Sequence, residues 1–211
     1  MISFGNFNLE KEEFSKDINE YLRTEDTLKN YNIQNQNIFN LTIDDLEFNN
    51  CSLKNISFEK CRISKSYFYN CTFDNCDLSS SQFFKSTFKN VKFINCKLAG
   101  CNFDSSYIQN STFLNDNIKN SILDNSNITN VNFIETTLKF SSISNVKLKS
   151  VTFDKCDLSS SDLSNTKLCD IDLSNSVIDA ITVYADDIKG CILNEYQALD
   201  FIKLLGIRIR D

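Results

Sequence analysis

The chain has 211 residues, a formal net charge of −6 and no His, Trp or Pro. That length allows one domain or a small solenoid with a buried core. The acidic balance argues against direct binding to nucleic acid or to an anionic membrane, because such proteins need a basic surface. Without His the commonest general base and metal ligand are missing. No apolar stretch approaches the ~18 residues of a membrane span and no signal peptide is visible, so we expect a cytoplasmic protein.

Residues 1–27 form the first predicted unit, an N-terminal cap segment that is partly helical. Phe14, Ile18, Tyr21 and Leu22 have the spacing of one helical face, and acidic residues lie between them. This pattern predicts a short amphipathic helix. Phe4, Leu9 and Phe14 are also five residues apart, which is the period of the following segment. An irregular additional repeat is therefore the alternative.

Residues 28–193 form the second unit, in which every fifth residue from Leu28 to Leu193 is Leu, Ile, Phe or Val. A period of five fits neither an α-helix nor a flat strand. A fixed internal period of this length indicates a fold of stacked repeats. If four such units complete one coil, every fourth apolar residue lies directly above the last. Residues 53, 73, 93, 113, 133, 153 and 173 then form a mostly aromatic column in the core.

Eight of the nine cysteines lie two residues before a central apolar residue. The same position also holds Ser, Val and Thr, so it selects a small, mostly buried side chain, and Cys there behaves as a small hydrophobe. Metal-binding CxxC spacing is absent. Disulfides between Cys51 and Cys71 or between Cys76 and Cys96 remain the alternative. Asp116 occupies the same inward position, and a buried carboxylate needs partners. It marks either a local kink or a functional position.

The five-residue units include CTFDN (71–75), CDLSS (76–80 and 156–160) and SDLSN (161–165). They resemble the pentapeptide repeat family, whose consensus is A(D/N)LXX. The resemblance implies an all-β solenoid, a right-handed quadrilateral β-helix in which each unit forms one side and four units make a 20-residue coil. Asn is frequent at the last position of the unit, where each side ends in a corner, because Asn tolerates left-handed backbone conformations.

Outward-facing residues must carry any binding function. Ile94, Leu114 and Ile134 are 20 residues apart and predict an exposed apolar ladder, which is either a contact surface or a seat for the N-terminal segment. Residues 85–149 contain eight Lys and four acids, whereas residues 154–187 contain eight acids and two Lys. The predicted partner-binding residues are these acids: Asp154, Asp157, Asp162, Asp170, Asp172, Asp179, Asp186 and Asp187. Their numbering spreads them over all four sides, as a belt.

Residues 194–211 form the third unit. Asn194 is a suitable N-cap with Gln197 three residues later, and Gly206 is a suitable helix end. Beyond it, apolar residues alternate with Arg as in a short strand. A helix this apolar at the end of a solenoid predicts a two-fold symmetric homodimer. The predicted interface residues are Tyr196, Leu199, Ile202, Leu205, Ile207 and Ile209.

The tail NEYQALDFIKLLGIRI is similar to the C-terminal helix and strand of the Qnr and MfpA branch of pentapeptide repeat proteins. That resemblance implies a tail-to-tail dimeric rod that mimics duplex DNA, binds DNA gyrase or topoisomerase IV and protects gyrase from quinolones, as in antibiotic resistance. It implies no cofactor and no direct contact with nucleic acid or membrane. The projecting loops of the longer Qnr proteins are absent, because the period is unbroken from 28 to 193.

Two other functional hypotheses follow from the residues alone. The first is a pentapeptide-repeat scaffold that binds another protein through the exposed apolar ladder. The second is an enzyme, which the sequence disfavours, because it lacks His, a glycine-rich phosphate loop and a nucleophile paired with a base.

Overall fold

A computed structural model describes residues 10–59 and 61–202 of the chain. Short strands, isolated β-bridges and the corners between them form the body of the chain, and two helices lie near its ends. The strands are β1 (Glu12–Glu13), β2 (Thr27–Lys29), β3 (Tyr31–Gln34), β4 (Asn37–Phe39), β5 (Thr42–Asp44), β6 (Glu47–Asn49), β7 (Ser52–Lys54), β8 (Ser57–Glu59), β9 (Arg62–Ser64), β10 (Tyr67–Tyr69), β11 (Thr72–Asp74), β12 (Thr87–Lys89), β13 (Lys92–Ile94), β14 (Tyr107–Leu114), β15 (Asn127–Ile134) and β16 (Lys147–Asp154). The helices are α1 (Ile18–Tyr21) and α2 (Glu195–Ile202).

All strand pairs are parallel, and from residue 27 onward paired residues are 20 positions apart. The pairs of this register extend from Thr27 opposite Glu47 to Asp172 opposite Ile192. This register confirms the predicted solenoid of four-sided coils. We name the sides by their central apolar residues. Side A contains residue 28 and every twentieth residue after it, and sides B, C and D begin in the same way at residues 33, 38 and 43.

The interior of the solenoid is a set of stacked apolar columns. On side B the rings of Phe73, Phe93, Phe113, Phe133 and Phe153 stack with centroids 4.8–5.1 Å apart and nearly parallel planes. The ring spacing equals the distance between hydrogen-bonded strands, so strand pairing and ring stacking reinforce each other. The predicted aromatic column is thereby confirmed as core.

The corners have a left-handed backbone. Asn30, Asn55, Asn75 and most other residues at the last position of the unit have φ between 51° and 62°. Asn is favoured there because its short polar side chain lowers the cost of this conformation. Neighbouring corners are also linked, since the side-chain amide of Asn75 donates to Asn55 at 2.7 Å, and that of Asn55 donates to Asn35 at 2.9 Å.

The small inward position joins adjacent coils by hydrogen bonds. The hydroxyl of Ser106 accepts from the backbone N–H of Ser86 at 3.2 Å and donates to the carbonyl of Phe83 at 2.9 Å. Cysteine thiols at this position make the same donation, as from Cys71 to the carbonyl of Phe48 at 3.4 Å. All nine cysteines are free thiols, so the disulfide alternative is wrong. The position selects small side chains that can also bridge two coils.

Coil stacking changes after β16. Residues 147–155, on sides A and B, make no backbone-to-backbone hydrogen bond to residues 167–175 within the described chain. Side chains connect the two coils instead, because Thr166 accepts from the N–H of Val146 at 3.0 Å and Ser176 donates to the carbonyl of Phe153 at 3.0 Å. Leu148 is consequently only half-buried.

The described N-terminal residues contain both a strand and a helix. Strand β1 pairs with β3 and adds to side B, while α1 is capped by Asp17, whose carboxylate accepts from the N–H groups of Asn19 and Glu20. Asn19 also bonds the backbone of residues 37 and 39 in β4. Helix α1 therefore lies against side C and away from Ile94, Leu114 and Ile134. Residues 1–9, which include Phe4 and Leu9, are outside the described chain.

Candidate protein-binding surface

The eight acids between residues 154 and 187 fall into two groups when their neighbours are considered. Three have a cationic partner: Asp157 forms an ion pair with Lys139, Asp186 with Lys189, and Asp187 with Lys167. Asp187 is only 4% exposed and also accepts from the N–H of Asn165 at 2.9 Å. Asp187 therefore stabilises the last coils, and it cannot meet a partner directly.

The other five acids have no ion pair among the described residues. They are Asp154, Asp162, Asp170, Asp172 and Asp179. Asp162 and Asp172 accept from the N–H of the residue two positions later, which holds their carboxylates in fixed directions. The hydrogen bonds from Ser174 lower the pKa of Asp172, so that carboxylate is fully ionised near neutral pH. We call these five residues the acidic surface.

The acidic surface extends over three of the four sides. Asp154 and Asp172 lie on side B, Asp179 on side C, Asp162 on side D, and Asp170 at the corner between sides A and B. Side A at the same level carries lysines 147, 149, 167 and 189. The expected belt around all four sides is therefore interrupted, because the acids on side A are either buried or paired with Lys.

The charge density of the acidic surface is comparable with that of duplex DNA. Residues 154–187 fill less than two 20-residue coils, which rise about 8 Å at roughly 4.8 Å per coil. The five carboxylates of the acidic surface over that rise correspond to about one per 1.6 Å. Duplex DNA carries one charge per about 1.7 Å. The match is confined to this segment, because residues 85–149 are net positive.

The apolar ladder is present on side B. Ile94 pairs with Leu114, and Leu114 pairs with Ile134, on three adjacent parallel strands. All three side chains are half-buried, and Asp74 and Asp154 continue the column at its two ends. The ladder is thus a short apolar stripe, three strands wide, between two carboxylates.

Helix α2 closes the C-terminal end of the solenoid. Asn194 and Gln197 cap it reciprocally, since each side-chain oxygen accepts from the other residue's backbone N–H at 2.9–3.0 Å, as the sequence predicted. The amide of Gln197 also donates to the carbonyls of Leu173 and Ser176. This anchoring leaves Tyr196 75% and Leu199 48% exposed, with Ile202 half-buried. Leu205, Ile207 and Ile209 lie outside the described residues.

Asp116 is buried in the column of small inward residues, 2% exposed. One carboxyl oxygen accepts from the N–H of Cys96 at 2.6 Å, while the buried second oxygen, Oδ2, has no partner. Burial raises the pKa of Asp116 to about 7, and the N–H of Cys96 offsets only part of that rise. The coil stacks regularly here, as Asn117 pairs with both Lys97 and Thr137, so the structure shows no kink, which was one of the two alternatives for Asp116.

Among residues 10–59 and 61–202, no group of His, Cys, Asp and Glu has the arrangement of a metal site. Over the same residues, no helix has the length and hydropathy to cross a membrane.

Two family models match the chain. The model described as "Pentapeptide repeat region" matches residues 66–143, and the model described as "Pentapeptide repeats (8 copies)" matches residues 47–79 and 138–175. Together they span residues 47–175, more than half of the chain. A search of curated proteins gave no significant match.

Several solved structures are similar in fold. Trypsin-treated QnrB1, described as a plasmid-mediated fluoroquinolone resistance protein, is 16% identical over 85% of this chain and 100% of its own, with a TM-score of 0.34. HetL, described as involved in heterocyst differentiation regulation in the cyanobacterium Nostoc sp., is 11% identical over 87% and 98%, with a TM-score of 0.38. A pentapeptide repeat protein from the Arabidopsis thaliana thylakoid lumen is 15% identical over 61% and 75%, with a TM-score of 0.33. Such distant likenesses carry no information about a partner.

Proposed function

The chain belongs to the pentapeptide repeat family, and on that premise we propose that it is a binding protein that occupies the DNA site of a type II topoisomerase, either DNA gyrase or topoisomerase IV. Pentapeptide repeat scaffolds are generally non-catalytic, so the function is one of surface recognition. The observation that carries the proposal is the acidic surface, with about one unpaired carboxylate per 1.6 Å along the rod.

The position of the acidic surface supports the proposal. It adjoins α2, whose exposed Tyr196 and Leu199 are suited to pairing with the same helix of a second chain. In such a dimer the two acidic surfaces would meet at the centre of a rod of double length. A basic DNA-binding groove would attract that centre over distances beyond direct contact, and would raise the association rate by 10-fold to 1,000-fold at low salt.

Two further features bear on the setting of the proposed function. Nine free thiols fit a reducing compartment, which is the cytoplasm in bacteria. The unbroken coils leave no projecting loop among residues 28–59 and 61–193. If such loops are needed to exclude a drug from the enzyme, this protein inhibits or modulates the topoisomerase more strongly than it protects it from quinolones.

The proposal is tested with purified gyrase in a supercoiling assay, with and without a fluoroquinolone. We expect the protein at micromolar concentration to lower supercoiling or to restore it in the presence of the drug. The double variant Asp170→Lys/Asp179→Lys should need about tenfold more protein for the same effect at ~50 mM salt. Both side chains are exposed, and neither forms a side-chain hydrogen bond within the described chain.

The matched control is Asp45→Lys/Glu25→Lys, which makes the same change in net charge at the opposite end of the rod. Asp45 has the same left-handed corner conformation as Asp170, with φ of 62° in both. The control should act as the unchanged protein does. Equal losses in the two double variants, or no effect of the unchanged protein on either topoisomerase, would overturn the proposal.

The apolar ladder supports a second candidate function, a scaffold that binds another protein through Ile94, Leu114 and Ile134. Three aligned apolar residues on adjacent strands form a continuous stripe, and apolar contacts are little affected by salt. Binding that survives 500 mM salt and is lost in Leu114→Asp favours this scaffold. Binding that disappears with salt and is unchanged in Leu114→Asp favours the acidic surface.

A further inference from the structure

Side A carries a flat surface without a single acidic residue. It is formed by strands β10 and β12 and by the first halves of β14, β15 and β16, which pair in register at 20-residue intervals. The outward residues are Tyr67, Tyr69, Asn70, Thr87, Lys89, Asn90, Tyr107, Gln109, Asn110, Asn127, Thr129, Asn130, Lys147, Lys149 and Ser150. We call this set the side A surface. Its five strands span about 19 Å at roughly 4.8 Å per strand.

Exposed aromatic rings lie on the first and third of the five strands of the side A surface, β10 and β14. Tyr107 is 58% exposed and Tyr67 is 39% exposed, although each sits on a regular strand where a small polar residue would serve equally well. The rings of Tyr67 and Tyr69 lie beside each other with centroids 6.0 Å apart. Tyr67 and Tyr107 are in the same column two strands apart, about 10 Å. The sheet thus holds aromatic rings in fixed positions facing outward.

Lysines lie on the second and fifth strands of the side A surface, β12 and β16. Lys89, Lys147 and Lys149 are exposed and form no ion pair among the described residues, whereas most other lysines of the rod face a carboxylate in an adjacent coil. At the neighbouring corner, the ammonium group of Lys85 lies over the ring of Phe84 at 4.9 Å. The nearest acids in the outward columns of side A are Glu47, one coil before Tyr67, and Asp170, one coil beyond Ser150 at the same corner.

We propose that the side A surface binds single-stranded nucleic acid. Outward aromatic rings on a flat sheet offer stacking partners for unpaired bases, and unpaired lysines alongside offer contacts for phosphates. The amides of Asn and Gln between them supply donors and acceptors at base edges. The proposal is independent of topoisomerase binding, because the side A surface contains none of the five acids of the acidic surface.

The net charge of −6 does not contradict this site, because the charge is unevenly distributed over the sides. At 0.15 M salt the screening length is about 8 Å, so a strand on side A is largely screened from acids on side C across the rod. Duplex nucleic acid is a poorer ligand, because its paired bases cannot stack on the tyrosines. The phosphates of its second strand are also repelled by the acidic residues on the other sides of the rod. Contacts from three or four lysines predict weak affinity at physiological salt.

The test is fluorescence anisotropy with a labelled 12-nucleotide oligo(dT), titrated with the full chain at 25–150 mM KCl. We expect saturable binding at 25 mM, with log K falling against log salt at a slope of about −2 to −3, which is about 0.7 per phosphate contact. Lys147→Glu/Lys149→Glu should weaken binding at least tenfold. Tyr67→Leu/Tyr107→Leu should weaken it about tenfold through lost stacking.

The matched control for the lysines is Lys97→Glu/Lys119→Glu on side C, which changes the net charge equally and should leave oligo(dT) affinity within twofold. A 12-base-pair duplex and inorganic polyphosphate serve as competing ligands. The proposal is overturned if no binding occurs at 25 mM KCl, if the side C variant loses as much affinity, or if the duplex binds as tightly. If the tyrosine variant keeps its affinity for oligo(dT), phosphate contacts alone explain the binding. That result also overturns the proposal.

Discussion

The sharpest stability prediction concerns the single carboxyl group inside the solenoid. Asp116 is 2% exposed, its Oδ2 has no partner, and its pKa is raised from 3.8 to about 7 by burial. The next residue in its column, Thr136, donates to the carbonyls of Phe113 and Ile134, and the same register places the carbonyls of Phe93 and Leu114 beside Asp116. A protonated Oδ2 can donate to these carbonyls, while an ionised one cannot.

The sign and size of the effect follow from linkage. A carboxyl group whose pKa is raised in the folded state keeps its proton between pH 3.8 and 7, while the unfolded chain loses it. The stability contributed by the neutral form is therefore complete below pH 3.8 and is lost as pH rises through about 7. At about 1.4 kcal/mol per pKa unit, the total loss is roughly 4 kcal/mol, of which about 2 to 3 kcal/mol falls between pH 5 and pH 7.

The perturbation is Asp116→Asn, which keeps the acceptor for Cys96 and supplies an N–H donor that does not titrate. Urea unfolding, followed by circular dichroism at pH 5, 6 and 7.5, gives the free energy of unfolding of both proteins. Contributions from other titrating groups, including the neighbouring Cys96 and Cys76 thiols, are the same in both and cancel in the difference. We expect the advantage of the Asn variant to grow by about 2 to 3 kcal/mol from pH 5 to pH 7.5. A difference that stays constant with pH within ~0.5 kcal/mol would refute the reasoning.

Three further predictions concern the repeated contacts. Ser106→Ala should lower the free energy of unfolding by about 0.5 to 1.5 kcal/mol, because it removes the hydroxyl that bridges the N–H of Ser86 and the carbonyl of Phe83, which then keep only their mutual bond at 3.2 Å; Ser106→Cys is the control in urea unfolding and should lose less. Phe113→Ala should cost about 3 to 5 kcal/mol by opening a cavity in the aromatic column, measured in the same way, and a loss below ~1 kcal/mol would contradict that packing. Phe140→Asn should raise the melting temperature by a few degrees, because Phe140 is 58% exposed at φ of 58°, where Asn is the favoured residue; a lowered melting temperature would refute this.

The period of five predicted the coil, the core columns and the role of the cysteines, because every unit meets the same geometric requirement. The capping pair Asn194 and Gln197 was predictable for a similar reason, since local spacing alone decides it. Interactions between side chains of adjacent coils were not predictable from the period. The burial of Asp187 beneath Lys167 is one case, as it depends on where the last coil turns.

Counting charged residues by segments of the sequence combined residues from all four sides of the rod. The difference in charge between side A and the other sides was therefore not visible in those counts. Asp154 and Lys149 are only five residues apart in sequence, yet they lie on different sides, because the corner at Ser150 separates them. Reading every twentieth residue as a column, as for the aromatic stack, reveals the lysines and tyrosines of side A. The loss of backbone hydrogen bonds between coils beyond β16 could not be predicted from the five-residue period. The apolar residues of that period continue without interruption there, at Leu148, Phe153, Leu168 and Leu173.

The 20-residue register also limits how the length of this rod can vary. Insertion or deletion of one five-residue unit keeps every apolar residue inward, so the core tolerates it. Every later unit would nevertheless move to the next side, and the acidic surface would turn by a quarter revolution relative to Tyr67 and Tyr107. Only a change of four units preserves which residues face the same direction. Among related rods, lengths differing by multiples of 20 residues can therefore keep one binding geometry, while those differing by five, ten or fifteen present a rearranged surface on an intact core.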